Sequence, residues 1–130
     1  STPDYTPVSY MSSHDTELFF NRFKSFDMQR NAANALLLSP GTIQVYYGDE
    51  IGRELGPYAD DFHQGTRSDM VWKLDDERKD LLSHWQTVGQ FRHNHPAIGA
   101  GKHQQIDNDS AYVFSRSLDN DKVVVAFVGN

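Results

Sequence analysis

With 130 residues, the chain is as long as one ordinary domain or parts of two, and its 8 Phe, 6 Tyr and 2 Trp in a 38% hydrophobic composition exclude a disordered protein. A net charge of −6, a sequence pI near 5.3 and 12 Lys and Arg scattered among 18 acids argue against a nucleic-acid partner. The lack of Cys excludes a disulfide framework and thiol catalysis, and no stretch approaches the roughly 20 apolar residues of a membrane span. Such an acidic, aromatic-rich chain is compatible with a neutral polar ligand such as a sugar. No initiator Met and no basic-then-apolar leader opens it, so a mature form or a piece of a longer protein is expected.

"TPVSYMSS" (Thr6–Ser13) follows a Pro and alternates Val8 and Tyr10 with smaller residues, which predicts a strand. "DTELFFNRF" opens on a good cap and spaces Leu18, Phe19 and Phe23 as a short helix would. "FDMQRNAANALLLSPG" places Met28, Ala32, Ala35, Leu36 and Leu38 near one helical face, and Ser39-Pro40-Gly41 ends it. "TIQVYY" (Thr42–Tyr47) predicts a buried strand closed by Gly48. Strand, helix, strand in that order implies a βαβ unit with two parallel neighbours.

From Asp49 to about Leu74 the chain is polar and irregular, and a segment of that length is usually functional. A second helix is predicted from about Asp75 to Arg92. Its first turn is acidic, Leu81, Trp85 and Val88 face a core, and His95-Pro96 marks its end. After Pro96, "GKHQQID", "SAYVFSRSL" and "DKVVVAFVG" are short strands separated by Asp-Asn-Asp turns. Strands in series without helices indicate an antiparallel sheet, so a domain boundary is expected near residues 96–101.

Three groups of residues are candidates for chemistry. Asp15 stands at the mouth of a helix, where it can cap backbone N–H groups. It also falls just past a parallel strand beside His14, where a carboxylate and an imidazole can hold sugar hydroxyls. The residues alone leave these two roles even. Asp49 and Glu50 are either solvated turn residues or a carboxylate pair for acid–base chemistry, although adjacent strand residues face opposite ways. His93, His95 and His103 invite a metal hypothesis, but no regular set of further ligands completes them, and a native metal site is not expected.

"VSYMSSHDT", "LLLSPGTIQVYYGDEIG", "GTRSDMVW" and "FRHNHPAI" occur in that order. Together they resemble the last quarter of a catalytic barrel of the α-amylase superfamily of glycoside hydrolases, and most resemble the bacterial periplasmic α-amylases. The resemblance covers essentially the whole chain. It implies an α/β fold: the last two strand–helix units of a (β/α)8 TIM barrel over residues 1–97, then a small antiparallel β domain over 98–130. It further implies that Asp15 is the family's third catalytic carboxylate, stabilising the transition state, and that His14 binds substrate in the same subsite. Ser13 stands where many members carry Asn. The family's nucleophile and general acid are expected upstream of residue 1, in a missing N-terminal barrel portion.

The resemblance therefore implies endo-hydrolysis of α-1,4-glucosidic bonds in starch, glycogen and maltodextrins, with retention. An α-glucan or maltooligosaccharide is the substrate, and the location is periplasmic or secreted. Calcium is common in the family, with no ligand assigned here. The isolated chain is expected to be inactive and to self-associate through its open barrel edge. Two alternatives stand beside this reading: another enzyme of the superfamily, a transglycosylase or isomerase of α-glucosides, and a non-catalytic carbohydrate-binding module.

Overall fold

The computed structural model describes residues 8–128, so Thr6, Pro7 and Gly129 of the expected strands lie outside the described residues. Strand β1 (Val8–Ser9) and strand β2 (Thr42–Ile43) pair in parallel, Val8 opposite Thr42 and Ser9 opposite Ile43. Both are much shorter than the sequence suggests. The Gln44 amide still donates to the Ser9 carbonyl at 2.8 Å, after which the ladder ends. Segment 42–47 is also not a buried strand, since Val45 is 44% exposed. A ladder persists only where a neighbour supplies partners, and no other strand flanks this pair among the described residues.

Between the two strands run helix α1 (Phe19–Phe23) and helix α2 (Phe26–Leu37). Helix α1 starts three residues later than a cap at Asp15 would require, and Leu18 and Phe20 are buried there rather than Phe19 and Phe23. Ser25 caps α2 by accepting from the Met28 amide. The inward face of α2 is Gln29, Ala33, Leu36 and Leu37, one step round from the expected stripe, which leaves Met28 and Ala35 exposed. This rotation follows from a polar contact, because the Gln29 amide donates to the Asp49 carbonyl at 2.9 Å inside the core.

The segment after β2 is a chain of short turns: 3₁₀ turns at Asp49–Ile51 and Gly56–Tyr58, then helix α3 (Phe62–Gly65). Helix α4 (Asp76–Asn94) follows, with Asp75 accepting from the Arg78 amide at its N-cap. Leu81 and Trp85 of α4 meet Ala33, Leu36 and Leu37 of α2 in one buried cluster, with Val88 and Ile43 at its margin. Helix α5 (Ala97–Ala100) leads into strands β3 (Lys102–Ile106), β4 (Ala111–Leu118) and β5 (Asp121–Val128), an antiparallel sheet in the order β3-β4-β5. Asp119 takes the left-handed conformation (φ 51°) that closes the β4–β5 hairpin.

The sheet has its own core of Ile98, Phe114, Val123 and Val125, with Leu38, just past α2, packed against it. One polar clasp ties the sheet to the ends of α4 and α5, and a second ties α4 to the end of α2. Asp121 accepts from the Ala97 amide at 2.9 Å and shares a 2.7 Å hydrogen bond with His95 Nδ1. Arg92 donates to the carbonyls of Leu37, Ser39 and Gly41, closing the end of α2.

The face of α2 is open to a direct check by unfolding titration of the protein. Leu37→Ala is expected to cost about 2–5 kcal/mol, because it opens a cavity in the α2–α4 core. Met28→Ala should stay within about 0.5 kcal/mol, as exposed substitutions do. Equal losses at both positions would contradict the observed face.

Candidate active site

The turn joining β1 to α1 carries both residues singled out by sequence, and its own hydroxyls shape it. The Ser13 amide donates to Thr16 Oγ1 at 3.0 Å, and the Asp15 amide donates to Ser13 Oγ at 3.2 Å. Such side-chain-to-backbone bonds hold a tight turn without helix or sheet. The side chains of His14 and Asp15 are left projecting outward, 59% and 70% exposed, with His14 Nε2 3.1 Å from Asp15 Oδ2. Asp15 does not cap α1. Ser12 does that work instead, its buried Oγ accepting from the Phe19 amide at 2.9 Å.

Opposite this turn lies the irregular segment, organised around one buried side chain. Arg53 is 3% exposed. Its Nε donates to the Tyr47 carbonyl, Nη1 to the Gly65 and Ser68 carbonyls and to Ser68 Oγ, and Nη2 to the Thr66 carbonyl, at 2.6–3.3 Å. The guanidinium also lies over the Tyr47 ring, 3.9 Å from its centroid. The Tyr46 and Tyr47 hydroxyls donate to the Thr66 and Ser68 carbonyls at 2.8 and 2.7 Å, so Gly65, Thr66 and Ser68 turn their oxygens inward. Burial, more than the neighbouring Tyr47, raises the Tyr46 hydroxyl above the usual phenol range. Gly48 (φ 92°) is needed here, because a Cβ would sit 2.5 Å from Arg53 Nε.

The outward side of residues 65–68 then reaches the His-Asp turn. Thr66 Oγ1 donates to the His14 carbonyl at 3.0 Å, and Arg67 Nη2 lies 3.5 Å from Asp15 Oδ1. The structure thus assembles His14, Asp15 and Arg67 on one exposed surface, with Thr66 beneath them. Arg53, Thr66 and Arg67 were not singled out from sequence. For Thr66 and Arg67 the signal is the "GTRS" stretch, which reads as loop until the tyrosines beneath it are placed, and Arg53 carries no local signal.

Asp49 and Glu50 do not form a working pair. Glu50 Oε2 accepts from the Gly48 amide at 3.0 Å, within its own turn. Asp49 is buried, and its Oδ1 accepts from the Ser12 hydroxyl at 2.8 Å. Burial pushes its carboxyl up to about 7, helped by Glu50, while the Ser12 hydrogen bond and Arg53 pull the other way.

The three histidines are dispersed among structural tasks. His95 is bonded to Asp121, His103 stacks on Phe114 with centroids 4.9 Å apart, and His93 lies in the last turn of α4. Among the described residues no group of three or more His, Asp or Glu is arranged to hold a metal ion. No ligand for the calcium that the resemblance implies is assigned among the described residues.

The chain is 44% identical over 126 residues to the periplasmic alpha-amylase of Escherichia coli (strain K12), covering 96% of this chain and 18% of that protein. It is 32% identical over 88 residues to a cyclomaltodextrinase from Bacillus sp, covering 65% of this chain and 15% of that protein. Among solved structures, AmyP in complex with maltose superposes with a TM-score of 0.77 at 22% identity, over 92% of this chain and 30% of that one. No protein-family model matches. The chain thus spans less than a fifth of the length of these curated relatives.

The buried carboxyl makes stability depend on pH in a fixed direction. Its folded pKa of about 7 lies above the ordinary 3.8, so between these values the folded protein keeps a proton that the unfolded chain has released. The stabilisation is full below about pH 4 and is lost as pH rises through about 7. Thermal melts of Asp49→Asn across this range should show the variant more stable than the parent at about pH 8, with the gap closing toward about pH 4. A gap that does not change with pH would contradict a buried proton at Asp49.

Proposed function

We propose, on the premise that the chain's relatives along nearly its whole length are α-amylase-superfamily enzymes, that it is the C-terminal part of an α-amylase hydrolysing internal α-1,4-glucosidic bonds with retention. Residues 1–97 are read as the last two strand–helix units of a (β/α)8 barrel, and 98–130 as a small β domain. The parallel β1–β2 pair with α1 and α2 between its strands supports the barrel reading, as do the exposed Val8 on β1 and Val45 just past β2, since no further strand flanks the pair among the described residues. In an intact barrel, upstream strands cover these faces. In the isolated chain they stay open and favour self-association.

One observation carries the functional reading: the exposed His14–Asp15 pair stands just past the C-terminal end of a parallel strand. That is where barrel enzymes place their chemistry. Asp15 offers acceptor oxygens to neighbouring hydroxyls of a sugar ring, and His14 offers a ring nitrogen beside it. As the sugar flattens toward an oxocarbenium-like transition state, its ring gains positive charge and the bonds from its hydroxyls to a carboxylate strengthen. Interactions that strengthen at that point raise turnover rather than affinity alone.

Bond cleavage itself needs two further carboxylates, one attacking the anomeric carbon and one protonating the leaving oxygen, set about 5–5.5 Å apart in a retaining enzyme. They are assigned to the upstream part of the barrel. The solved AmyP complexes hold maltose and maltotriose, which supports a maltooligosaccharide substrate for this chain. The periplasmic relative supports a periplasmic or secreted location.

The test compares turnover with stability. In the intact enzyme, Asp15→Asn should lower kcat by about 10²–10³-fold, because an amide holds the hydroxyls less well and cannot balance developing positive charge. Its melting temperature should stay close to the parent's, because Asp15 caps no helix. The 130-residue chain alone should release no reducing ends from starch. Near-parental turnover in the variant, or hydrolysis by the chain alone, would overturn the assignment.

A further inference from the structure

We propose that Asp49 is a positioning residue for the His14–Asp15 turn, acting through the hydroxyl of Ser12. The inference rests on the reading of Asp15 as a substrate-holding carboxylate. Ser12 is fully buried and begins the segment that carries both site residues; Phe19, whose amide it accepts, ends it. A serine hydroxyl has one proton to give. The Ser12 hydroxyl donates it in a hydrogen bond to Asp49 Oδ1 at 2.8 Å, which leaves the oxygen's lone pairs for the Phe19 amide. The two bonds close Ser12–Phe19 into a loop and tie it to the segment that leaves β2. Asp49 therefore fixes the base on which the exposed pair stands.

The surroundings of Asp49 indicate that packing alone does not explain the residue. Its Oδ2 is buried and has no hydrogen-bond partner among the described residues, and no Lys, Arg or His there forms an ion pair with it. A buried carboxyl with one oxygen unpartnered costs stability that an apolar side chain of the same shape would not. What the carboxyl supplies is an acceptor at one defined point, aimed at Ser12. Small displacements of a group that contacts the reacting sugar are expensive, a shift of about 1 Å costing on the order of 10²-fold in rate.

The experiment uses the intact enzyme on maltooligosaccharides, with kcat expressed per folded molecule. Asp49→Asn keeps the shape and an acceptor oxygen for Ser12, and should stay within about 3-fold of the parent. Asp49→Leu and Ser12→Ala each remove the clasp and should lower kcat by about 10–100-fold, with KM changed much less. The double variant should be no worse than the worse single one, because both remove the same interaction. Parental kcat in either single variant, or losses that multiply in the double variant, would overturn the proposal. So would an Asn variant as impaired as Leu. If Asp49→Leu fails to fold, Ser12→Ala decides the matter by itself. An active Asp15→Asn enzyme would instead sink the underlying reading. A disabled Asp15→Asn alongside silent Ser12 and Asp49 variants would sink only this proposal.

Discussion

The geometry of the candidate site depends on a buried guanidinium with no carboxylate partner among the described residues. Arg53 spends its donors on the backbone carbonyls of Tyr47, Gly65, Thr66 and Ser68 and on one serine hydroxyl. Removing a charge from water costs several kcal/mol. Here that cost is offset by inward-pointing carbonyl dipoles and the face of Tyr47. These are bonds to main chain, so they specify the path of a loop that has almost no regular structure. Arginine is suited to this because its planar fork reaches several carbonyls at once, which a lysine ammonium cannot do.

From this centre, order passes to the surface in two directions. Residues 65–68, held from below by Arg53 and the two tyrosine hydroxyls, present Thr66 to the His14 carbonyl and Arg67 to the Asp15 carboxylate. The turn that supplies Arg53 also supplies Asp49, which grips the other end of the His-Asp turn through Ser12. An exposed pair is thus fixed from beneath by buried polar contacts, while its own side chains stay free for a ligand. The Arg67–Asp15 contact is largely solvated, and its Coulombic contribution is correspondingly small.

Local patterns in the sequence foretold some of this, and the unforeseen parts are those set by distant partners. The α4 helix and its Leu81–Trp85 face follow from periodicity, and the antiparallel run after Pro96 follows from alternation and turn residues. The face of α2 did not, because the triple leucine at 36–38 admits two neighbouring faces. The deciding contact, Gln29 to the Asp49 carbonyl, is polar and invisible to hydrophobic periodicity. The parallel strands came out short because pairing depends on neighbours that alternation cannot count. Asp15 looked like a cap by position, yet the cap is Ser12, seven residues before the amide it satisfies. Arg53 is not legible in the sequence, since nothing local shows that four carbonyls will converge on it.

The role proposed for the His14–Asp15 pair is to hold the sugar at the point of cleavage. The most direct measurement is a crystal structure of the intact enzyme with maltotriose or a transition-state-like inhibitor bound across the cleavage point. The account predicts Asp15 carboxylate oxygens within about 2.5–3.0 Å of ring hydroxyls and His14 within hydrogen-bond reach of the same ring, with the turn unmoved. A sugar bound elsewhere, with Asp15 still facing only His14, Arg67 and water, would contradict it.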